Sequence, residues 1–212
     1  MDDQALLATV AGSTSASLTR ADWLAAAIRL FIDEGVGSVR ITRLADELEV
    51  TRGSFYWHFT GRDDLLAAIV EFWGRKNTRA VVSAFDGLDD LTQGVLALFD
   101  AWIDPELFDP RLDLAIREWA RRDKAIHRAV AKADAKRIQA ICDFYCRSGF
   151  ARKEAFIRAR VIYFTQIGYY ALEVKETLAE RLDYLESYYL SFTGRTIDPA
   201  AAEAYRRRHP GA

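Results

Sequence analysis

Histidine, cysteine and proline are scarce in this chain of 212 residues, and each shortage argues against something. The three histidines, His58, His127 and His209, sit in no metal-ligand spacing and beside no Ser or Cys nucleophile pattern. No metal site, no cofactor and no catalytic residue are therefore expected. The two cysteines, Cys142 and Cys146, lie four apart in an expected helix with no Cys or His partner at ligand spacing. They read as two small buried residues, the alternative being a redox pair or half a metal site. No glycine-rich phosphate loop is present. No run of about 18 apolar residues occurs, so no membrane-spanning helix is expected. The opening MDDQALLATVAGS has two early acids and no basic segment, which does not read as a signal peptide and points to a cytoplasmic chain. One sign of charge does not dominate either: 29 Lys and Arg face 31 Asp and Glu, for a net charge of −2. Coating nucleic acid by bulk charge is therefore disfavoured, and any DNA contact has to be local and shaped.

Half of the chain is apolar, so a real core can form. The four prolines, Pro105, Pro110, Pro199 and Pro210, leave the first hundred residues free of helix breakers. The pattern is helical almost throughout, with no convincing strand alternation and no fixed repeat, which predicts an all-α fold. Residues 1–18 are small and polar and read as a flexible tail. Thr19 or Ser17 can cap a first helix that ends at Gly35 and Gly37. Ser38 or Arg40 opens a short second helix whose inner face is Leu44, Ala45 and Leu48. Thr51 is placed to cap a third short helix, and Arg62-Asp63-Asp64 opens a long fourth. The domain reading is 19–66 for the first three helices, a linking helix to about 84, 85–195 for a second helical domain, and 196–212 for a frayed tail. Within 85–195 the spacing predicts helices over 91–103, 111–121, 123–148, 152–175 and 178–192. The RRR of the tail reads as a solvated patch.

Two short helices joined by a tight turn and held between longer ones describe a helix-turn-helix, whose second short helix would enter a major groove. Gly53 weakens a helix interior and is tolerable there if bare backbone must approach DNA. Arg52 can reach a guanine edge or a phosphate, and the hydroxyls of Thr51 and Ser54 suit phosphates. Phe55 and Phe59, four apart, are expected to anchor the small helix. Tyr56 and His58 are candidates for phosphate contacts, His58 having a capping or core role as its alternative. Trp57 is left open between bracing the groove wall and packing inside.

The stretch ITRLADELEVTRGSFYWHFTGRDDLL, residues 41–66, resembles the DNA-binding signature of tetracycline-repressor (TetR) family regulators. The shared pattern is Leu44-Ala45, Val50, Thr51, Gly53, Phe55-Tyr56, His58-Phe59, Arg62 and Leu65-Leu66. It covers about residues 19–75. Beyond them only length, helical character and a C-terminal seam are similar. The resemblance implies a homodimer on a palindromic double-stranded operator, with a C-terminal domain that holds a small effector. Carried over by position, it implies phosphate contacts from Thr51, Tyr56, His58 and Arg62. Arg52, Gly53 and Trp57 would face bases, and Arg40, Thr42 and Arg43 would grip the flanking backbone. Two positions depart: Glu49 stands where the family commonly has a turn glycine, and Arg40 where a Thr usually opens the second helix. Glutamate does not take a positive φ cheaply.

In the second domain, aromatics predict an apolar effector pocket, with Phe99, Trp102, Trp119, Tyr145 and Tyr163 as its expected members. Leu178, Leu182, Leu185 and Tyr189 recur at bundle spacing. The helix before them has two apolar stripes, one of them Ile157, Val161, Phe164, Gly168 and Ala171. These two sets are expected to build a four-helix dimer interface, the alternative being core within one chain. The functional expectation is a ligand-responsive transcriptional regulator, a repressor in preference to an activator. Its rivals are an enzyme, for which no motif speaks, and a helical ligand-binding protein whose helix-turn-helix no longer binds DNA.

Overall fold

The computed structural model describes residues 18–209, and among them there are eleven helices and no strand. They are α1 (Arg20–Glu34), α2 (Ile41–Glu47), α3 (Arg52–Phe55), α4 (Arg62–Ser83), α5 (Leu91–Ile103), α6 (Pro110–Ala120), α7 (Lys124–Arg147), α8 (Arg152–Ala171), α9 (Leu178–Asp183), α10 (Leu185–Thr193) and α11 (Pro199–Arg208). The expected tail of residues 1–18 lies, but for Leu18, outside the described residues. No helix among those described is long and apolar enough to cross a membrane.

The chain forms two compact units, and their boundary differs from the expected one. The first comprises the residues up to Arg79 together with Pro105–Ala133; the second comprises Ala80–Asp104 and the residues from Asp134 onward. Residues 105–133 thus leave the expected 85–195 domain and pack with the N-terminal segment. The reason is a buried polar knot. Asp113 on α6 is 1% exposed and accepts from Trp73 Nε1 at 2.7 Å, from Asn77 Nδ2 at 3.4 Å and from Arg117 Nε at 2.7 Å. Asn77 also donates to the Asp109 carbonyl and accepts from the Asp109 N–H, at 2.9 and 3.0 Å. Beside this knot, Leu112, Ile116 and Ala120 of α6 join the core of α1 and α4. Trp119 meets the Phe31 ring edge-on at 5.8 Å. Trp119 is therefore part of the first unit's core, which corrects its assignment to the effector pocket.

In the second unit, α5 and α7 come so close at Gly94 that an added Cβ would lie 2.1 Å from the Phe144 ring. Here glycine is a packing requirement. The expected helix over 178–192 is broken at Tyr184 into α9 and α10. Arg206 takes the Leu182 carbonyl at 3.3 Å and pairs with Glu186 at 2.5 Å, and both contacts come from the segment expected to fray. That segment is α11. Asp198 caps it at the Ala200 N–H, Pro199 sits in its first turn, and Ala202 and Tyr205 are buried. Arg207 pairs with Glu203, and Arg208 and His209 both meet Asp100. The frayed tail is corrected accordingly; of the RRR run, Arg207 and Arg208 remain solvated at 67% and 60% side-chain exposure, and Arg206 is the one drawn inward.

Asp113→Ala strips the buried partner from one indole, one amide and one guanidinium. It is expected to cost on the order of 3 kcal/mol, read from the urea midpoint of unfolding at unchanged slope.

Candidate functional site

The helix-turn-helix is built on α1. Thr19 and Asp22 form a reciprocal capping box, Thr19 N–H to Asp22 at 2.7 Å and Asp22 N–H to Thr19 at 3.3 Å. Gly35, at φ 80°, ends the helix. Trp23 on α1 meets Phe55 edge-on at 5.3 Å, Phe55 stacks on Phe59 at 5.4 Å, and the Arg20 guanidinium lies 4.4 Å over Phe59. A helix as short as α3 has no stability of its own. Burial of Phe55 and Phe59, 0% and 2% exposed, holds it, as the spacing predicts. Each such ring contributes roughly 2–3 kcal/mol of transfer free energy.

With those rings inward, the opposite face of α3 points out. Thr51, Arg52 and Gly53 are exposed, Ser54 is half-buried, Tyr56 is 61% exposed and Trp57 is 86% exposed. The open question about Trp57 is settled in favour of an outward position. Thr51 takes the extended N-cap backbone, yet its hydroxyl makes no cap bond. An added Cβ on Gly53 would meet only the Thr51 hydroxyl, at 3.6 Å, so nothing inside the chain requires glycine there. Arg40, Thr42, Arg52, Tyr56 and Arg62, with Ile41, line one surface depression. His58 is half-buried, its N–H donating to the Phe55 carbonyl at 2.9 Å.

Two expected DNA contacts have other engagements. Arg62 donates from Nε to the Val39 carbonyl and from Nη2 to the Val36 carbonyl, both at 2.6 Å. It ties the start of α4 to the turn before α2, so its first task is structural. Arg43 lies in a two-pronged ion pair with Glu34, 2.6 Å at one prong. That pairing draws the Glu34 carboxyl below the usual carboxylate range and raises the Arg43 guanidinium. Arg40 donates only to the Gly37 carbonyl, at 3.2 Å, and no acid pairs with Arg40 or Arg52 among the described residues.

The second unit holds a cavity of about 70 Å³ that is partly open to solvent. Phe99 and Trp102 line it as expected. Tyr145 and Tyr163 do not. Tyr145 is buried with its hydroxyl 3.4 Å from the Phe192 carbonyl, and burial pushes that phenol above its ordinary range. Tyr163 donates to Asp134 at 2.7 Å and accepts from the buried Arg137 at 3.1 Å. Their polar ends serve the packing of α7 on α8 and α10. The lining that sequence reasoning missed comes from α8 to α11, notably Gln166, Tyr169, Arg181 and Tyr188. Tyr169 donates to Glu176, and burial first, then that carboxylate, pushes its phenol up to about 12.

The model of bacterial regulatory proteins of the tetR family matches residues 24–69, the span of this helix-turn-helix. The HTH-type transcriptional regulator AcrR of Shigella flexneri is 43% identical over 53 residues, 25% of each chain. TtgR of Pseudomonas putida is 38% identical over 53 residues, again 25% of each. Residues 24–69 thus form a TetR-type DNA-binding domain. The matches to these curated relatives span about a quarter of their length. The fold extends the likeness: AmtR of Mycobacterium smegmatis superposes with a TM-score of 0.63 at 20% identity, covering 96% of this chain and 98% of that one. The ketosteroid transcriptional regulator KstR2 of Mycobacterium tuberculosis gives 0.58 at 16%, covering 89% and 100%.

Beside this TetR-type domain, the two sets named for a dimer interface separate. On α8, Ile157, Val161 and Phe164 are 51%, 46% and 49% exposed, Ala171 is exposed and Gly168 is half-buried. On α9 and α10, Leu182, Leu185 and Tyr189 are buried at 7%, 3% and 2%. Tyr189 shares a hydrogen bond with Thr92 at 2.9 Å, and Leu178, Leu182 and Leu185 line the cavity. This second set is core and cavity wall of its own chain, which corrects its place in an interface.

Glu49, in the position where TetR proteins commonly carry glycine, adopts the left-handed conformation at φ 55°. Val50 N–H reaches the Ala45 carbonyl at 2.9 Å and Glu49 N–H the Asp46 carbonyl at 3.2 Å, the double bond of a Schellman stop. The turn geometry survives the substitution and the side chain bears its cost. Glu49→Gly is expected to raise stability by on the order of 1 kcal/mol, measured by thermal or urea unfolding.

Proposed function

We propose that the chain is a dimeric, sequence-specific DNA-binding regulator, a repressor that leaves a palindromic operator when a small apolar ligand occupies the second unit. The observation that carries this reading is the outward face of α3. It joins an unpaired Arg52, a glycine that no internal contact explains, and two large aromatics facing solvent. Exposed aromatics of this size beside a free guanidinium fit a surface that meets a partner. A helix N-terminus with free N–H groups and the uncommitted Thr51 hydroxyl suits phosphate.

The dimer rests on the exposed apolar stripe of α8, which a two-fold partner would cover. Two recognition helices must then sit about 34–36 Å apart to enter successive major grooves. Helices α4 and α7 each contribute residues to both compact units. An occupant that favours one arrangement of these helices shifts the population away from the DNA-competent spacing. A second reading, a ligand-binding protein that has lost sequence-specific DNA binding, draws on the engagement of Arg43 and Arg62 elsewhere.

Selection of bound duplexes from a random pool separates the two. Enrichment of a palindrome held by a dimer is expected, and its absence would favour the second reading. Gly53→Ala is expected to leave the unfolding midpoint equal or slightly higher, while operator affinity drops about tenfold or more. Equal affinity for that variant would remove the case for close backbone approach. Tyr56→Ala is expected to weaken all sequences alike, and Arg52→Ala to relax preference at one base pair at a cost of about 1–3 kcal/mol. Both are read by titration of single-substitution operators.

A further inference from the structure

The cavity of the second unit has a one-sided polarity. Its lining contains one formal charge, Arg181 on α9, and no Asp or Glu. The Arg181 guanidinium lies 4.6 Å over the Tyr169 ring, and no carboxylate pairs with it among the described residues. Three buried polar atoms of the lining, Trp102 Nε1, Gln166 Nε2 and the Tyr205 hydroxyl, have no hydrogen-bond partner, the last of them within the electrostatic reach of Asp100. Trp102 is only 4% exposed. An indole N–H can only donate, so Trp102 decides the sign of what it awaits; the Gln166 amide can turn to offer either end. A buried donor without a partner is costly, and one that faces a cavity is placed to meet an acceptor there. The remaining wall is apolar and aromatic, with Phe99, Leu182, Leu185 and Phe192.

We propose that this cavity takes an apolar monocarboxylate, its tail against these rings and leucines and its oxygens against the Trp102 N–H, the Gln166 amide and the Arg181 guanidinium. One unneutralised cation matches one negative charge. A dianion such as a phosphate monoester would leave charge uncompensated among aromatic walls, and a neutral molecule would leave Arg181 without a counter-charge. The proposal names the ligand class for the effector site of the preceding section and rests on that reading for its regulatory consequence.

Calorimetric titration of the full-length chain with octanoate and 4-phenylbutyrate, each against its neutral methyl ketone (2-nonanone and 5-phenyl-2-pentanone), tests it. The acids are expected to bind at least about tenfold more tightly than the ketones. Arg181→Met, which keeps an unbranched apolar stem and removes the charge, is expected to abolish that preference with an unchanged thermal melt. Trp102→Phe is expected to weaken acids and ketones alike by about threefold or more, since both carry a carbonyl oxygen. Ketones binding as tightly as acids, retention of the preference in Arg181→Met, or no binding by any of the four would overturn the proposal. Release from the selected operator is scored separately. Acids that bind without releasing DNA support the ligand class and count against the effector reading. Release by a ketone but not by its acid supports the effector reading and sinks the ligand class.

Discussion

The Asp113 carboxylate is the constraint on which the first unit depends. An ionised carboxylate at 1% exposure is unfavourable unless its lone pairs are filled, and here an indole, a carboxamide and a guanidinium fill them. Trp73 and Asn77 belong to α4, the helix that begins at Arg62 where the reading segment ends. Arg62 in turn holds the carbonyls of Val36 and Val39, just ahead of α2. The turn before α2, the start of α4 and the α6 carboxylate thus form one chain of directional contacts. Apolar packing alone tolerates sliding; hydrogen bonds to a buried charge do not, and they set the register of α4 against α6.

The same economy governs α3. Four helical residues cannot hold their own shape, so Phe55 and Phe59 are committed to the core, and between them Tyr56 and Trp57 are turned outward while His58 stays half-buried. The backbone stop at Glu49 shows how strictly this geometry is kept. Glutamate is forced into the left-handed region because the two closing hydrogen bonds at Ala45 and Asp46 need that φ. A turn that accepts this strain is one whose angle between α2 and α3 matters more than the cost at one residue.

Local signals made the helix-turn-helix legible from sequence. Thr19 and Gly35 mark the ends of α1 through capping and backbone preference, Thr51 stands at the N-cap position of α3 without a side-chain cap bond, and the Phe55/Phe59 spacing fixes which face turns inward. Contacts between distant segments were not legible in that way. Trp119 looked like a pocket aromatic, but Phe31, far away in sequence, claims it. Leu182, Leu185 and Tyr189 have seam spacing, yet periodicity gives a face and does not say whether the chain itself or a second copy covers it. The helix α11 was missed because an RRR run beside alanines reads as solvated, while its fixed points, Tyr205 in the core and Arg206 on Leu182 and Glu186, are tertiary. Among the named pocket residues, Phe99 and Trp102 line the cavity because they share one face of α5, whereas the polar lining is split over four other helices, α8 to α11.

Charge ties the proposed DNA surface to the proposed dimer. From 38 to 62 the chain carries four arginines, at 40, 43, 52 and 62. Arg43 is neutralised by Glu34, and Arg62 spends two of its nitrogens on carbonyls. That leaves Arg40 and Arg52 as the open cations of this segment, helped by hydroxyls and helix-terminal N–H groups. Each phosphate neutralised contributes a logarithmic salt slope of about −0.9 on duplex DNA, so one protomer alone releases few counterions and gains little affinity. In the proposed dimer, two copies joined along the exposed α8 stripe would double the phosphate contacts, and the second half-site would be met at high effective concentration. A weakly charged reading head therefore fits a protein in which pairing precedes DNA binding. Separating the protomers, with every residue of α3 left intact, would cost such a protein its operator.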